Sequence, residues 1–469
     1  MASCVGGEQR ELLEREQGMG FSVRSRSSLA SHLRTRCRDV AKHALHPTRG
    51  SRRSWRAPLP LLALLALVLP AALAACGGST GGSNGGSDTL VFGAPVSLTG
   101  SLSHEGADTL NGYHLWADQV NSQGGIKVGD KTYKVSIKYY DDGSSAQKSA
   151  QLTKQLITAD KVNFLLGPYG SAATLTDEVI AQQYQIPMVE GNGAAQAIFK
   201  KGNPYIFGVL SPSPEYAGAM IKAALAQPNP PKTVAIINAN DSFSTEVATA
   251  AVALAKSSGM DVVYSQSYPA NATDLTGILT QIKTSANGGV PDMIIGSGHE
   301  GEALTTMKQA KQLGINPKLW SFTVGPALPD FATTLGGDAN YVIGSSQWTP
   351  QVKYQGTDIF GTAQKFEQLY KAKYNVEPSY QAAESAACGV AFQAALEKAG
   401  SIDPDKVRDA LKSVDMTSFY GPIKFSDTGE NDTKPMVTIQ IQQGQVVTVF
   451  PKEVANADFK YPTPSFGQR

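Results

Sequence analysis

A glycine-rich segment at residues 296–301, Gly-Ser-Gly-His-Glu-Gly, has the spacing of turns that bind the pyrophosphate of a dinucleotide. It follows the apolar segment PDMII, which predicts a strand, and it opens a predicted helix whose free N–H groups favour anions. The next predicted strand, LWSFTVG, offers no acidic residue for a ribose hydroxyl, and this turn is not the first of its series. We therefore interpret the segment as a tight strand-to-helix turn at the edge of a cleft.

Two further motifs of catalytic type are incomplete. Residues 145–148 (SAQK) match the S-x-x-K motif of acyl-serine enzymes, but no S-D-N or K-T-G segment accompanies them. Residues 427–429 (DTG) match one half of an aspartic protease dyad, and without a second triplet no two carboxylates can share a proton. The G-x-S-x-G spacing occurs only in the Gly/Ser-rich segment at residues 77–85, and no H-E-x-x-H or P-loop pattern occurs. It therefore predicts no catalytic residues and a protein that is not an enzyme.

The charges are divided unevenly between a basic start and an acidic body. Residues 1–56 contain twelve basic and five acidic residues, whereas residues 88–469 contain 29 basic and 35 acidic residues. An acidic body with only two arginines lacks the clustered cationic face that binds nucleic acid. Its three histidines, His104, His114 and His299, are too few for a histidine-rich metal site. We expect no nucleic acid partner, no metal and no cofactor.

The segment Gly167-Pro168-Tyr169-Gly170-Ser171 joins a predicted strand to a predicted helix and can bind a ligand through its backbone. The first N–H groups of that helix would point into the cleft, where they favour a carboxylate or another anion. Ser171 adds a hydroxyl group and is also placed to cap its own helix. Since the chain has no arginine between residues 56 and 408, we expect amide and hydroxyl groups to hold such an anion.

Residues 57–75, APLPLLALLALVLPAALAA, form an uncharged apolar run that follows four arginines and ends in small residues. The pattern is typical of a secretory signal, so residues 1–75 are assigned to an N-terminal extension and signal peptide, with a membrane-spanning helix as the alternative. Leu-Ala-Ala-Cys76 resembles the bacterial lipobox, whose cysteine is lipidated and begins the mature chain. Residues 76–87 would then supply the lipidated Cys76 and a flexible Gly/Ser tether. We expect an exported protein that is lipid-anchored to the outer face of the cytoplasmic membrane.

The cysteines predict no disulfide in such a mature chain. Cys4 and Cys37 would be removed with the signal, and Cys76 would carry the lipid, which leaves Cys388 alone. Cys388 lies in the apolar stretch QAAESAACGVAFQAALEKAG, which predicts a helix. We therefore expect a buried, unreactive thiol.

Two consecutive series of strand and helix segments follow Leu90. In the first, the predicted strands TLVFGAPV, YKVSIKYYDD, NFLLGP, IPMVEG and YIFGVL alternate with amphipathic stretches at the spacing of βα units. The second series runs from TVAIINAN to NYVIGSSQW, and two helical stretches then precede Pro422. The end of the body predicts strands with a hairpin turn at Gln443-Gly444. The predicted fold class is α/β, with two Rossmann-like lobes that contain parallel sheets and enclose a ligand cleft.

Six segments occur in an order that points to one family: GAPVSLTG, NGYHLWADQVNSQGGI, YYDD, KQLITADKVNFLLGPYGS, IPMVEGNGAA and NPYIFGVLSPS. As a set they resemble the type I solute-binding lipoproteins of branched-chain amino acid ABC importers, the leucine/isoleucine/valine-binding proteins. The resemblance extends from Leu90 to about Pro451. It implies the type I periplasmic binding protein fold, in which two lobes joined by a three-strand hinge close over a small ligand.

The resemblance also implies the boundaries of the lobes. Lobe 1 would consist of residues 88–210 plus 349–417. Lobe 2 would consist of residues 211–348 plus 418–456, and a tail at residues 457–469 would follow it.

The binding residues are likewise implied by the resemblance. Members of the family bind the charged head of the ligand with the serine after a G-P-x-x turn, here Ser171, and with the loop after the next strand. An aromatic residue of lobe 2 closes on the ligand, and Phe243 occupies the matching position. The predicted ligand-binding residues are Glu105, Tyr169, Gly170, Ser171, Asn192, Gly193, Ala194, Phe243, Gly298, His299 and Tyr380.

This sequence departs from the amino-acid binders of the family at three places. It has Ala194 where they commonly have threonine and Gly298 where many have tyrosine, and no acidic residue is evident around Thr323–Pro326. If Glu105 faces the cleft, it would replace the missing acid and bind a cationic or amide group. These departures argue against an α-amino acid as the ligand and leave the identity of the ligand open.

We therefore expect a substrate-binding protein of an ABC importer that works as a monomer with a permease and an ATPase. Its ligand would be a branched-chain amino acid or a related amino acid, amide or carboxylate. A ligand-sensing receptor subunit with the same cleft is an alternative. A secreted enzyme is another, and it would require a nucleophile and a base clustered in the cleft.

Overall fold

The computed structural model of this chain describes residues 88–469. The predicted signal peptide, Cys76 and the Gly/Ser tether lie outside the described residues. No helix within residues 88–469 has both the length and the apolar character needed to cross a membrane.

Two sheets rich in parallel strands form the framework of two lobes. The strands are β1 (Thr89–Val96), β2 (Ile126–Val128), β3 (Lys131–Asp141), β4 (Phe164–Leu166), β5 (Met188–Glu190), β6 (Ile206–Gly208), β7 (Thr233–Ala239), β8 (Asp261–Tyr268), β9 (Met293–Ser297), β10 (Leu319–Phe322), β11 (Ile343–Ser346), β12 (Asp415–Ser418), β13 (Gly421–Lys424), β14 (Val437–Gln442) and β15 (Gln445–Phe450). One sheet has the order β2-β3-β1-β4-β5-β6 and the other β15-β14-β11-β10-β9-β7-β8, while β12 and β13 pair separately. The predicted α/β fold class and the hairpin turn at residues 443 and 444 are confirmed.

Helices cover both faces of these sheets. They are α1 (Ser103–Ser122), α2 (Ala146–Thr158), α3 (Ser171–Tyr184), α4 (Ser213–Leu225), α5 (Ser242–Ser257), α6 (Thr276–Ile282), α7 (Glu300–Leu313), α8 (Pro329–Leu335), α9 (Ala363–Tyr374), α10 (Tyr380–Ala399) and α11 (Pro404–Leu411). The prediction of two helical stretches before Pro422 was wrong, because Gly400 ends α10 in a left-handed conformation and Asp403 caps a third helix, α11.

The two sheets share one strand order. In each of them the first parallel strand, β1 or β7, lies between the second (β3 or β8) and the third (β4 or β9). The direction of strand addition therefore reverses beside β1 and beside β7. Ligands of open α/β sheets bind outside the carboxyl ends of the strands at such a reversal. The topology thus locates the candidate site at the loops after β1, β4, β7 and β9.

The chain passes between the lobes after β6, after β11 and between α11 and β14. Side-chain hydrogen bonds connect the three passages. The Gln347 side chain accepts from the N–H of Ser211 at 3.0 Å and donates to the Ser211 carbonyl at 3.1 Å. Trp348 Nε1 donates to the Phe419 carbonyl at 3.3 Å. The hinge is therefore one hydrogen-bonded unit instead of three independent strands.

Helix α10 is buried along most of its length and packs against α1. Gly389 permits this close approach, because a Cβ atom there would lie 2.0 Å from Cδ2 of Trp116. Trp116 in turn packs edge-on against Phe92 of β1, with 5.1 Å between the ring centroids. The core of lobe 1 thus fixes α10, whose first turns reach the cleft.

Candidate functional site

The loops at the reversal points surround a small space between the lobes, which we call the inner cavity. Loops after β4 and β5 form its lobe 1 wall, the start of α5 and the loops after β9 and β10 form its lobe 2 wall, and α4 and α10 contribute the remaining side chains. The space between these walls is about 260 Å³, including its mouth. It is lined by Tyr169, Gly170, Ser171, Asn192, Tyr216, Phe243, His299, Val324, Tyr380 and Glu384.

A second space of about 370 Å³, the outer cavity, shares Tyr169, Gly170, Ser171 and His299 with the inner cavity. It includes the N-termini of α2 and α3. The phenol oxygen of Tyr169 lies 3.2 Å from His299 Nδ1, so this pair joins the two lobes where the cavities meet. The outer cavity is lined by Ser97, Leu102, Asp142, Ser144, Ser145, Ala146, Tyr169, Gly170, Ser171, Ala172, Ala173, Asp241 and His299.

Ser171 is the first residue of α3 and does not cap it. Gly170 is the cap, and its φ of 90° is a conformation that glycine adopts without strain, so the capping role predicted for Ser171 was wrong. Ser171 Oγ accepts a hydrogen bond from the N–H of Ala195 at 3.0 Å, which leaves its own proton free to donate. No side chain caps the first turn of α3. This end of the cavity therefore presents hydrogen-bond donors and suits an anion.

Glu190, the last residue of β5, holds the loop that carries Asn192. Its fully buried carboxylate accepts from the N–H groups of Asn192 and Gly193 and from Thr174 Oγ1, the last at 2.9 Å. Burial raises the pKa of Glu190 to about 7, and these hydrogen bonds oppose the shift. Glu190 was not among the predicted site residues, although a glutamate that ends a buried apolar strand needs such partners.

Phe243 and His299 extend from lobe 2 into the inner cavity. The Phe243 ring packs edge-on against Tyr216 with 4.9 Å between centroids, and it lies 5.9 Å from the His299 ring. His299 also caps α7, where its N–H donates to Glu302 Oε2 at 3.1 Å. His299 therefore has both a structural role at the start of a helix and a position in the cavity wall.

Gly193, Ala194 and Gly298 line neither cavity. The Gly298 N–H donates to Thr323 Oγ1 at 3.1 Å, and its carbonyl accepts from the same hydroxyl at 3.0 Å. A Cβ atom at residue 298 would lie 3.1 Å from the phenol oxygen of Tyr268. These three residues shape the loops behind the cavity walls, and a ligand contact for them stays a prediction.

Glu105 also lines neither cavity, although it lies between the lobes. Its buried carboxylate accepts from the backbone N–H of Glu300 at 3.3 Å. Its neighbour His104 places Nδ1 2.8 Å from Glu300 Oε2 and 3.3 Å from Asp330 Oδ2. We call these four residues, His104, Glu105, Glu300 and Asp330, the rim cluster.

Three residues of the rim cluster, His104, Glu105 and Glu300, favour bound protons. Burial raises the pKa of Glu300 to about 7, and the His104 side chain opposes that shift. Burial likewise raises the pKa of Glu105. The hydrogen bond to Glu300 raises the pKa of His104 above its ordinary value. Contact between the lobes at this rim is therefore linked to proton uptake.

Seven of the eleven predicted residues thus line the inner cavity: Tyr169, Gly170, Ser171, Asn192, Phe243, His299 and Tyr380. Tyr216, Val324 and Glu384 line it as well and were not predicted. The segment around Glu384 is apolar on all sides, so its sequence indicated a buried helix without showing which residue faces the cleft. A glutamate within such an apolar helix is unusual, and this was the one feature of the sequence that could have indicated a functional residue.

A larger groove of about 1140 Å³, open to solvent, lies beside Tyr380 and includes Trp348, Glu377 and Val446. We place the candidate site in the inner cavity instead, because polar groups from both lobes converge there at the strand reversals. In residues 88–469 no group of three or more histidine, cysteine or carboxylate side chains could hold a metal ion. Cys388 is buried as predicted, and burial raises the pKa of its thiol.

Residues 89–445 match the model of the periplasmic binding protein family. This chain belongs to that family. A Leu/Ile/Val-binding protein homolog of Brucella abortus is 24% identical over 385 residues, which cover 79% of this chain and 92% of that protein. Membership implies an extracytoplasmic location, and the predicted resemblance is confirmed.

Solved structures of other binding proteins share the fold of this one. The branched-chain amino acid transporter substrate binding protein LivJ of Streptococcus pneumoniae, in complex with isoleucine, has a TM-score of 0.69 at 23% identity, covering 78% of this chain and 100% of that one. An ABC transporter solute binding protein of R. palustris in complex with benzoate has a TM-score of 0.65 at 19% identity, with coverage of 79% and 98%. The type I periplasmic binding protein fold is thereby confirmed, and these neighbours are binding proteins of transporters, not enzymes.

Proposed function

We propose that this binding protein is the substrate-binding component of an ABC importer and captures a small polar solute in the inner cavity. The observation that carries the proposal is the convergence of donors from Ser171 and α3 with Phe243 and His299 of the other lobe. Isoleucine and benzoate, the ligands of two structural neighbours, both contain a carboxylate that suits such donors. The proposed ligand class is a branched-chain or related amino acid, an amide or a carboxylate.

The solute would bind first to lobe 1, where Ser171 and the first turn of α3 receive its anionic group. Rotation of lobe 2 about the hinge then brings Phe243 and His299 onto the solute. A ligand shifts the lobes toward closure only as far as it binds the closed form more tightly than the open form. Contacts with both walls supply that difference, and the closed form is what the permease would receive.

We further propose that Cys76 carries a lipid and that the following tether holds a monomer near its permease and ATPase. A Cys76→Ser variant should fail to incorporate labelled palmitate and should no longer sediment with membranes. Labelling and sedimentation equal to those of the unchanged chain would refute the anchor and leave the binding function intact.

The proposed binding function predicts that a ligand raises the melting temperature, because it binds only the folded state. The full chain, purified in mild detergent, would be tested against branched-chain amino acids, amides, aromatic carboxylates and sugars. Calorimetry on each solute that raises the melting temperature would give affinity and stoichiometry, and we expect one solute per chain. No shift with any of these solutes would contradict the proposal.

A further inference from the structure

The lining of the inner cavity combines hydrogen-bond donors with hydrogen-bond acceptors. Ser171 and the first turn of α3 present donors, whereas Asn192 and Glu384 present acceptor oxygens. Among the described residues, Asn192 Oδ1 is a buried atom with no hydrogen-bond partner, and the residue as a whole is only 8% exposed. A buried acceptor without a partner is costly, so a ligand that donates to it gains affinity.

The hydrogen bonds around Asn192 fix the orientation of its amide. Ser385 Oγ donates its proton to the Gln381 carbonyl at 2.7 Å. The same oxygen can then only accept from Asn192, and Asn192 Nδ2 lies 2.9 Å from it. The amide nitrogen therefore faces Ser385, which leaves Oδ1 as the acceptor for a ligand.

Glu384 brings a carboxylate to the same cavity. It is 1% exposed, and its Oε2 lies 3.2 Å from the phenol oxygen of Tyr420. Burial raises the pKa of Glu384 well above its usual range, whereas the Lys434 ammonium and Tyr420 act in the opposite direction. A cation placed beside this carboxylate would favour its ionised form for the same electrostatic reason as Lys434 does.

Two buried carboxylates and one buried ammonium group influence one another in this region. Glu190 and Glu384 are both buried carboxylates, and each raises the pKa of Cys388, so both act on the same region. The Lys434 ammonium opposes the rise that burial causes in the pKa of Glu384, and its Nζ lies over the Tyr420 ring at 4.1 Å from the centroid. The positive charge of a ligand would add to that of Lys434 in favouring the ionised form of Glu384.

We propose that the ligand carries a primary ammonium group that binds between Glu384 and Asn192 Oδ1. This inference rests on the proposed function and specifies its ligand. The carboxylate of such a solute would lie at Ser171. Residues of lobe 1 would then bind both charged groups of a zwitterion. The rings of Tyr216 and Tyr380, which line the same cavity, also favour a cation. Glu384 thus supplies the acid that the sequence did not reveal around residues 323–326.

Matched pairs of solutes test the proposal, since each pair differs only in the ammonium group. The pairs are leucine with isocaproate, and para-aminomethylbenzoate with para-toluate, each titrated calorimetrically into the full chain. We expect at least one ammonium member to bind about tenfold or more tightly than its partner, a difference of about 1.4 kcal/mol. Glu384→Gln should reduce that ratio to about threefold or less by weakening the ammonium member alone.

Two controls separate a ligand contact from a structural role. Glu377→Gln changes an exposed glutamate three residues before the start of α10 and should leave all affinities unchanged. If Glu384→Gln lowers the melting temperature too far for titration, Asn192→Ala provides the second test and should also weaken the ammonium member selectively. Carboxylates that bind as tightly as their ammonium partners, or variants that weaken both members equally, would overturn the inference while the proposed function stands. Absence of binding by every solute, these four included, would instead overturn the proposed function.

Discussion

The inner end of the cleft and its rim are built in different ways. At the inner end, Glu190, Asn192 and Glu384 are held by hydrogen bonds to residues of lobe 1 and the hinge. At the rim, the bonds between His104 and Glu300 and between Tyr169 and His299 each join one lobe to the other. The inner groups therefore keep their positions when the lobes separate, whereas the rim contacts exist only while the lobes touch.

This difference teaches that Asn192 and Glu384 serve recognition, whereas the pair of His104 and Glu300 serves closure. Tyr169 and His299 line the cavity and also join the lobes, so they contribute to both. A substitution at the inner end should change which solute binds, and a substitution at the rim should change how strongly every solute binds. The four variants below test this division, in order of decreasing expected effect.

Gly389→Ala should have the largest effect, because it disturbs the helix that supports the inner end. The new Cβ atom would lie 2.0 Å from Trp116, and relief of that overlap should lower the free energy of unfolding by about 2 to 3 kcal/mol in urea denaturation. Gly301→Ala, in α7 at the rim, is the control, since nothing lies within 4 Å of its Cβ position. Gly301→Ala should raise the free energy of unfolding by about 0.5 kcal/mol. Equal effects of the two substitutions would contradict the close packing of α10.

Ser171→Ala should weaken carboxylate ligands by about 10- to 100-fold, because it removes a hydrogen bond to a charged group. Calorimetry on the carboxylates that bind the unchanged chain measures the loss. Thr362→Ala removes a helix cap at α9 outside both cavities, so it should lower stability and leave affinity unchanged. If Ser171→Ala binds carboxylates as tightly as the unchanged chain does, Ser171 does not contact the ligand.

Affinity for carboxylate ligands that lack an ammonium group should fall several-fold from about pH 5 to about pH 8, because closure takes up protons at the rim. The ordinary pKa of Glu300 is 4.5, and in the closed form it is about 7. Its contribution to closure is therefore fully present below the ordinary value and is lost as pH rises through about 7; the raised pKa of His104 acts in the same direction. Glu300→Gln should flatten the profile, whereas Glu397→Gln, on the exposed side of α10, should not. If the pH dependence of Glu300→Gln equals that of the unchanged chain, a group other than Glu300 takes up the proton.

Tyr169→Phe should have the smallest effect, a loss of about threefold in affinity, because it removes one neutral hydrogen bond to His299 and retains the ring. Stopped-flow measurements should show the loss mainly as faster release. The loss should be the same for ligands of different chemistry. A loss confined to one ligand class would mean that the phenol oxygen contacts the solute instead.

The sequence predicted the fold well because its signals are local and repeated. Buried parallel strands such as β7 and β9 are continuous apolar runs, and the alternation of strands with amphipathic helices indicates two α/β lobes. The turn at Ser171 was likewise recognisable from its glycines and its position after a strand. Backbone detail was less accessible: the choice of Gly170 over Ser171 as the cap depends on a positive φ that the sequence only permits.

The groups at the inner end could not be predicted in the same way. Glu384 and Tyr216 reach the cavity from helices whose other residues are mostly buried, so periodicity does not show which side faces the cleft. Their position depends on how α4 and α10 pack at the hinge, which is a long-range property. Glu105 lies in the first turn of α1, and its carboxylate accepts from the Glu300 N–H at the rim, a long-range contact that the sequence does not indicate; its contact with a ligand stays a prediction.

Trp348 gives the hinge an optical signal of its own. The described residues contain three tryptophans, and the other two, Trp116 and Trp320, are buried in the cores of the lobes. The indole of Trp348 donates across the hinge to the Phe419 carbonyl, so rotation of the lobes should alter its surroundings while the other two stay constant. Closure should therefore change intrinsic fluorescence, and the motion can be timed without attaching a dye.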